Sequence, residues 1–209
     1  MLRTTFILFL SLSSLFAISQ VNIINRSLTD SSLRIVYIGV DNFLEIKGVK
    51  ISDDIKVSSS QGDVTKIDTN FFLRVPICDS IFITVQKKGR QILKEKFKCN
   101  KLYDPVLQLG AIKDSAASIN EILINPFLHL FRENCFYKKE FTITNFRAMF
   151  IGYDSDSLNT YAMGNLLTHE QIDLIKRLRR GDIIYFNEIY AFGPDSRRRK
   201  LTPFIITIE

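Results

Sequence analysis

The sequence predicts a two-part, mostly β chain: a small β-sandwich over residues 33–100, then an α+β unit over 104–209 with a capped helix and a C-terminal β-hairpin. Three observations predict it. Short strand-like pieces follow one another from Leu33 to Phe97, separated by turn-prone groups and with no convincing helix among them. The polar stretch Asn100-Lys-Leu-Tyr-Asp-Pro105 then interrupts the pattern and reads as a linker. Finally, Leu166–Glu209 carries a helix start signal, an amphipathic run, a glycine stop and two strands around a turn.

In chain order, Met1-Leu-Arg-Thr-Thr is a short basic start, Phe6–Ile18 is an apolar run, and Ala17-Ile18-Ser19 fits a small-x-small cleavage site. Residues 1–19 are therefore expected to be a signal peptide, with Gln20 first in the mature chain. The apolar run is shorter than the roughly 20 residues that span a bilayer, so no transmembrane span is expected after cleavage. No cysteine lies at the cleavage point, which argues against a lipid anchor. The expected location is periplasmic or secreted.

Residues 20–32 are polar and read as an extended lead-in. The strand-like pieces are 33–38, 43–46, 50–52, 55–58, 71–75, 80–85 and 92–97, separated by groups such as Ser52-Asp-Asp54, Ser58–Asp63 and Lys88-Gly89. Past the linker, Val106–Ile112 reads as a strand. Ser118 with Glu121 forms a capping box that opens a short helix, and Pro126 interrupts it. Phe127–Phe131 reads as a further helical turn or a strand entry. Between Lys139 and Gly152 the alternation slips phase: Phe141 and Ile143 share one parity, while Phe146, Ala148 and Phe150 share the other. A bulge near Asn145 reconciles them. Thr160–Gly164 reads as a short strand.

Thr168 with Gln171 is a second capping box, and Leu167 and Ile172 are spaced as its hydrophobic staple. Ile172, Leu174, Ile175 and Leu178 fall on one helical face. Lys176, Arg177, Arg179 and Arg180 are expected in the last turns, where the helix dipole favours cations, with Gly181 as the stop. Strands Ile183–Ala191 and Leu201–Ile208 flank Gly193-Pro-Asp-Ser196 and are expected to leave an open strand edge.

The chain is 46% apolar and 24% charged, enough for a packed core and against general disorder. Its net charge of +6 is a modest excess that fits an anionic partner or plain solubility. Of the three cysteines, Cys78 and Cys99 flank a hairpin-like segment. A two-residue Lys88-Gly89 turn would set them opposite, and an exported chain permits a disulfide. Matching the apolar face of Ile81, Ile83 and Val85 to Leu93 and Phe97 instead requires a one-residue offset, such as a bulge at Gly89. That offset turns Cys78 to the other face. A bridge and two separate small apolar residues both stay open; face matching favours the second. Cys135 is expected to be buried.

Within Leu166–Glu209, Lys176–Gly181 (Lys-Arg-Leu-Arg-Arg-Gly), Tyr185-Phe186 with Ile189, and Gly193-Pro194-Asp195 followed by basic residues and Leu201 resemble the C-terminal domain of the GldM (PorM) family of gliding motility and type IX secretion. Val36-Tyr-Ile-Gly-Val-Asp-Asn42 resembles the entry of that family's preceding Ig-like domain. The resemblance spans 33–209 and is specific at the C-terminal end. It implies an Ig-like β-sandwich followed by a GldM C-terminal-like α+β domain. It also implies domains that pair as dimers and contact an outer-membrane-associated ring. Members of the family begin with a membrane helix that serves a proton-driven motor; this chain begins with an expected signal peptide, so the motor role is not implied.

Chemistry is sparse. The two histidines, His129 and His169, have no metal-ligand spacing, and no Cys-x-x-Cys is present. His129, among Phe127, Leu128, Leu130 and Phe131, is expected to be a partly buried structural residue; His169 is expected to be exposed. Asp154-Ser-Asp-Ser-Leu-Asn159 lacks the glycine and terminal glutamate of a calcium loop and reads as a solvated turn. Neither a Gly-x-Ser-x-Gly nor a phosphate loop occurs. No enzyme activity and no cofactor are expected. The strongest non-structural signal is the cations: Lys176, Arg177, Arg179 and Arg180, then Arg197, Arg198, Arg199 and Lys200. They read as a surface for an acidic envelope protein or as plain solvated charge; export argues against nucleic acid. The reading is an exported, non-enzymatic interaction protein. The alternative is a secreted Ig-like adhesin or glycan-binding module.

Overall fold

The computed structural model describes residues 20–112, 115–152 and 157–209. The leader expected at 1–19 and Asp154–Asp156 of the expected turn lie outside the described residues.

The first strands are β1 (Asn22–Asn25), β2 (Ile35–Tyr37), β3 (Asp41–Lys47), β4 (Ile55–Ser59), β5 (Asp63–Ile67), β6 (Asn70–Arg74), β7 (Ser80–Lys87) and β8 (Arg90–Asn100). They form two four-stranded sheets, ordered β1-β3-β6-β5 and β2-β8-β7-β4. Period-2 alternation builds the layer between them. Leu44, Ile46, Phe71 and Leu73 of the first sheet meet Val36, Ile81, Ile83, Val85 and Phe97 of the second in one buried cluster. Burying each such side chain stabilises the fold by about 1.5–3 kcal/mol.

Part of the expected lead-in is thus β1, the strand beside β3. Residues 50–52 form no strand. Strand β5 gave little signal in the sequence because almost every residue in it is exposed. It exists through its ladder with β6 rather than through a buried face. Asn42 is fully buried and polar, and it is satisfied on all sides. Its Oδ1 accepts from Tyr37 N (2.8 Å) and Asn25 Nδ2 (3.1 Å), and its Nδ2 donates to Tyr37 O (2.9 Å) and Leu73 O (3.1 Å).

The remaining elements are β9 (Val106–Leu109), β10 (Ala116–Ala117), α1 (Ile119–Ile124), β11 (Leu128–Phe131), β12 (Thr142–Ile151), β13 (Leu158–Met163), α2 (His169–Ile175), β14 (Ile183–Phe192), β15 (Arg198–Lys200) and β16 (Phe204–Ile208). The main sheet runs β10-β16-β14-β12-β13, with β15 also on β14. Its inner face presents Phe146, Ala148, Phe150, Ile184, Phe186, Ile189 and Ile206 to Ile122 and Ile175 of the helices and to Leu107, Leu109 and Leu128 of the β9–β11 pair. The ladder between β12 and β14 shifts register on both sides of Asn145, where the phase slip places a bulge.

Both capping boxes form. Ser118 Oγ accepts from Glu121 N, and Thr168 Oγ1 accepts from Gln171 N (3.2 Å). Gln171 is itself buried and donates from Nε2 to Thr160 Oγ1 (2.9 Å), tying α2 to β13. The helix after Thr168 is shorter than its pattern suggests. It ends at Ile175, and the chain then tightens into three-residue turns, with Arg177 N donating to Leu174 O and Leu178 N to Ile175 O. Asp182 Oδ2 accepts from Arg179 N (2.7 Å), and Gly181 donates to Ile208 O with φ +92°. Closing the chain onto the start of β14 outweighs another helical turn.

A small third cluster joins the two halves: Leu28, Tyr37, Val40 and Tyr137 are all buried. Thr29 N donates to Phe136 O (2.7 Å) and Lys138 N to Ser27 O (2.8 Å). Phe136 N donates to Tyr37 Oη (3.0 Å), and Tyr137 Oη donates to Asp41 O (2.9 Å). Burial raises the pKa of both phenols.

Candidate interaction surface

The eight cations singled out by the sequence do not come together. Lys176 caps the end of α2, Arg177, Arg179 and Arg180 lie beyond it, and all four are exposed. The Lys176 N–H donates to Ile172 O, and the three arginines follow it rather than lying in the last turns. Lys176 pairs with Asp173 at 3.1 Å. The second group lies at the far end of β14. Its ten residues separate the two groups by about 30 Å at about 3.3 Å per residue.

Within the second group, strand alternation sends the side chains to opposite sides. Arg199 is an internal brace. Its Nη2 donates to Asp195 Oδ2 (2.6 Å), its Nε pairs with Asp104 (2.6 Å), and its guanidinium lies 5.1 Å from the Phe141 ring centre. This hydrogen bond holds the Asp195 carboxyl below its ordinary pKa. A side chain at Gly193 would run into the Arg199 guanidinium, the Asp195 carboxylate and the Phe141 ring. The Gly-Pro-Asp turn and the arginine after it are therefore one structural device that pins the linker residue Asp104. Arg198 and Lys200 project on the other side, beside Tyr190; Arg198 stacks 4.1 Å over the Tyr190 ring centre. Arg197 is exposed on the turn.

The strand edges expected at the chain end are covered only in part, since β10 pairs with β16 at Thr207 and Ile208 alone. Strand β14 sits between β12 and β16, and β16 pairs with β10 beyond it. Free surface also appears elsewhere. The outer face of the main sheet carries Met149 and Ile151 of β12, Tyr161 and Met163 of β13, Tyr185, Tyr190 and Phe192 of β14, and Ile205 of β16. None of these belongs to a buried cluster. Met149 stands opposite Tyr185, and Tyr185 opposite Ile205, so one apolar row crosses three strands. Phe192 is 46% exposed and Ile205 47%. Arg147 pairs with Glu188 at 3.2 Å on the same face. Arg198 and Lys200 border it without a carboxylate ion pair among the described residues. An aromatic and aliphatic centre with arginine and lysine beside it has the composition of a protein-docking surface. Period 2 marked these residues as facing away from the core; only the sheet order shows that they lie side by side.

Cys78 and Cys99 form a disulfide with Cα atoms 5.8 Å apart, so the expectation of two separate residues is corrected. The offset that argued against the bridge exists, but not at Gly89. Lys88 and Gly89, with φ of 49° and 77°, make a two-residue turn, and the register shifts between Val85 and Gln86. Cys78 lies ahead of β7, outside the ladder, so alternation does not fix its direction. A disulfide is consistent with an extracytoplasmic location. Cys135 is half-buried rather than buried, and it accepts from Arg132 Nη1 at 3.3 Å. It lines a junction cavity of about 700 Å³ together with the bridge.

His129 is exposed on β11, not partly buried; His169 is exposed at the start of α2. His129 lines a shallow cavity of about 190 Å³ with Glu140 and Thr142. Among the described residues no hydrogen bond joins these three. No group of three or more histidine, cysteine or acidic residues there is arranged to hold a metal.

Residues 130–209 match the family model of the GldM C-terminal domain. The matched segment begins in β11 and contains β12 to β16, α2 and the whole open face. No curated protein matches the chain. Among solved structures, the Yersinia pseudotuberculosis adhesin InvE is similar at 8% identity and a TM-score of 0.30, covering 92% of this chain and 60% of that one. A chain of a cytokine receptor complex is similar at 6% identity and a TM-score of 0.27, covering 90% and 95%.

Proposed function

We propose that the chain is an exported, non-enzymatic interaction protein that docks another envelope protein of a gliding or type IX secretion machine. The observation that carries this reading is the open outer face of the main sheet, which lies within the segment that matches the GldM C-terminal domain. Its apolar row supplies area, and Arg198 and Lys200 favour an acidic partner. Residues 33–100 form an Ig-like domain in this reading. Support comes from the pairing of β1-β3-β6-β5 with β2-β8-β7-β4, which follows the immunoglobulin strand order with an added first-strand segment along β8. Residues 104–209 are the docking domain. The disulfide and the family match favour the periplasm.

Crosslinking in the native envelope, followed by identification of the bound proteins, tests this. An outer-membrane-associated ring component is the expected catch. Combined Arg198→Glu and Lys200→Glu should weaken that capture and leave the melting temperature nearly unchanged. Unchanged capture overturns the surface assignment. Recovery of glycan in place of protein would favour the adhesin reading.

A further inference from the structure

Strand alternation gives the second sheet of the first half a cationic outer face. Ile81, Ile83 and Val85 of β7, Phe97 of β8 and Ile55 of β4 point into the sandwich core, so the residues between them point out. These are Phe82, Thr84 and Gln86 on β7, Lys94, Lys96 and Lys98 on β8, and Lys56 and Ser58 on β4. Strands β4 and β7 hold no carboxylate. The one on β8, Glu95, stands opposite the inward Ile83 and pairs with Arg34 at 3.0 Å. Among the described residues, none of the four lysines is in an ion pair with a carboxylate.

The four lysines lie near one another. Lys94, Lys96 and Lys98 are alternate residues of one strand, about 7 Å apart in succession. Lys96 stands opposite Phe82, Lys94 opposite Thr84, and Thr84 in turn opposite Ser58, next but one to Lys56 on β4. All four are exposed. Phe82 is 42% exposed in their midst, with the Lys94 ammonium 4.9 Å from its ring centre. The face ends at β2, where Ile35 and Tyr37 enter the third cluster.

We propose that the outer face of β8, β7 and β4 binds an anionic phospholipid surface, with Lys56, Lys94, Lys96 and Lys98 against the headgroup phosphates and Phe82 among them. Charge complementarity requires an anion, because like charges gathered on one face repel until something neutralises them. The side-chain types select its class. Protein interfaces are rich in arginine and poor in lysine, and the outward positions here hold lysine and no arginine. Lysine is a compact point charge on a flexible stem, suited to the diffuse field of a headgroup layer rather than to forked contacts. The Lys94 ammonium over Phe82 occupies ring surface that a stacked sugar would need. A phenyl ring among lysines instead suits an interface, where the ring enters the headgroup layer and the lysine stems extend beside it. This face belongs to the first half and the docking face to the second, so either assignment can fail alone.

Co-sedimentation of the exported chain with vesicles tests it. The wild type should bind phosphatidylcholine vesicles that contain phosphatidylglycerol and should not bind vesicles of phosphatidylcholine alone. High salt should release it. Combined Lys94→Gln, Lys96→Gln and Lys98→Gln should weaken partition about a hundredfold, at about fivefold for each lysine, with an unchanged melting temperature. Combined Lys176→Gln, Arg177→Gln and Arg180→Gln removes the same charge from the other half and should bind as the wild type does. The lipid and salt dependence of the wild type covers a fold defect in the lysine variant. Equal binding to both vesicle types, no binding to either, a lysine variant that binds undiminished, or an equal loss in the control variant overturns the proposal. Binding to soluble alginate in place of vesicles also overturns it and assigns the face to an acidic polysaccharide.

Discussion

The two halves of this chain use similar strands and cover them differently. In the first half, two four-stranded sheets cover each other, and the longer end strands carry charge. In the second, helices and a two-stranded pair cover one face of the main sheet, and the other face keeps tyrosines, Phe192 and Ile205 in solvent. The same alternation that makes a closed layer in one half leaves a surface in the other. Apolar residues on an uncovered face contribute little to folding, so their presence needs a reason outside stability.

Covered and uncovered positions should separate by magnitude. Phe186→Ala, at the centre of the Phe146–Phe186–Phe204 ring contacts, should cost about 3–5 kcal/mol in urea unfolding. Loss of the disulfide through Cys99→Ser should cost about 2–4 kcal/mol, with a matching drop when the wild type is reduced. Arg199→Ala should cost about 1–3 kcal/mol, because it leaves the partly buried Asp195 carboxylate without its charged donor. Acid should act on the same pair. The depressed pKa of Asp195 means its contribution is complete above the ordinary carboxylate range and is lost as pH falls through the folded value. A melting curve series from neutral to acid pH should therefore show a shallower loss for Asp195→Asn. Thr168→Ala, which removes a helix cap, should cost about 1 kcal/mol by thermal melting. Phe192→Ser on the open face should stay within about 0.5 kcal/mol. A large loss there would show that something covers the face and would end the comparison.

Several elements were legible because their signals are local. Both capping boxes, the bulge near Asn145 and the Lys88-Gly89 turn depend on neighbours in sequence. The failures share a different cause. The helix after Thr168 stops at Ile175 because Asp182 and Ile208 capture the following backbone. Strand β5 has no buried side to betray it. Cys78 escapes alternation by lying just outside its strand. His129 looked enclosed among apolar neighbours, yet on a strand those neighbours point the other way or along the edge.

The basic residues show the division most clearly. Sequence alone determined that eight cations cluster near the C-terminus, that Arg197 and Arg199 alternate with Arg198 and Lys200, and that a Gly-Pro-Asp turn precedes them. Those facts follow from residue identity and from the two-residue period of a strand. Tertiary structure alone decided that Arg199 is clamped between Asp104 and Asp195 while Arg198 and Lys200 border an apolar face. It also decided that β13 closes one end of the main sheet and the two-residue β10 the other. Partners far apart in sequence make these choices. A strand's alternation says which residues share a side; only the order of strands in the sheet says whether another element covers it.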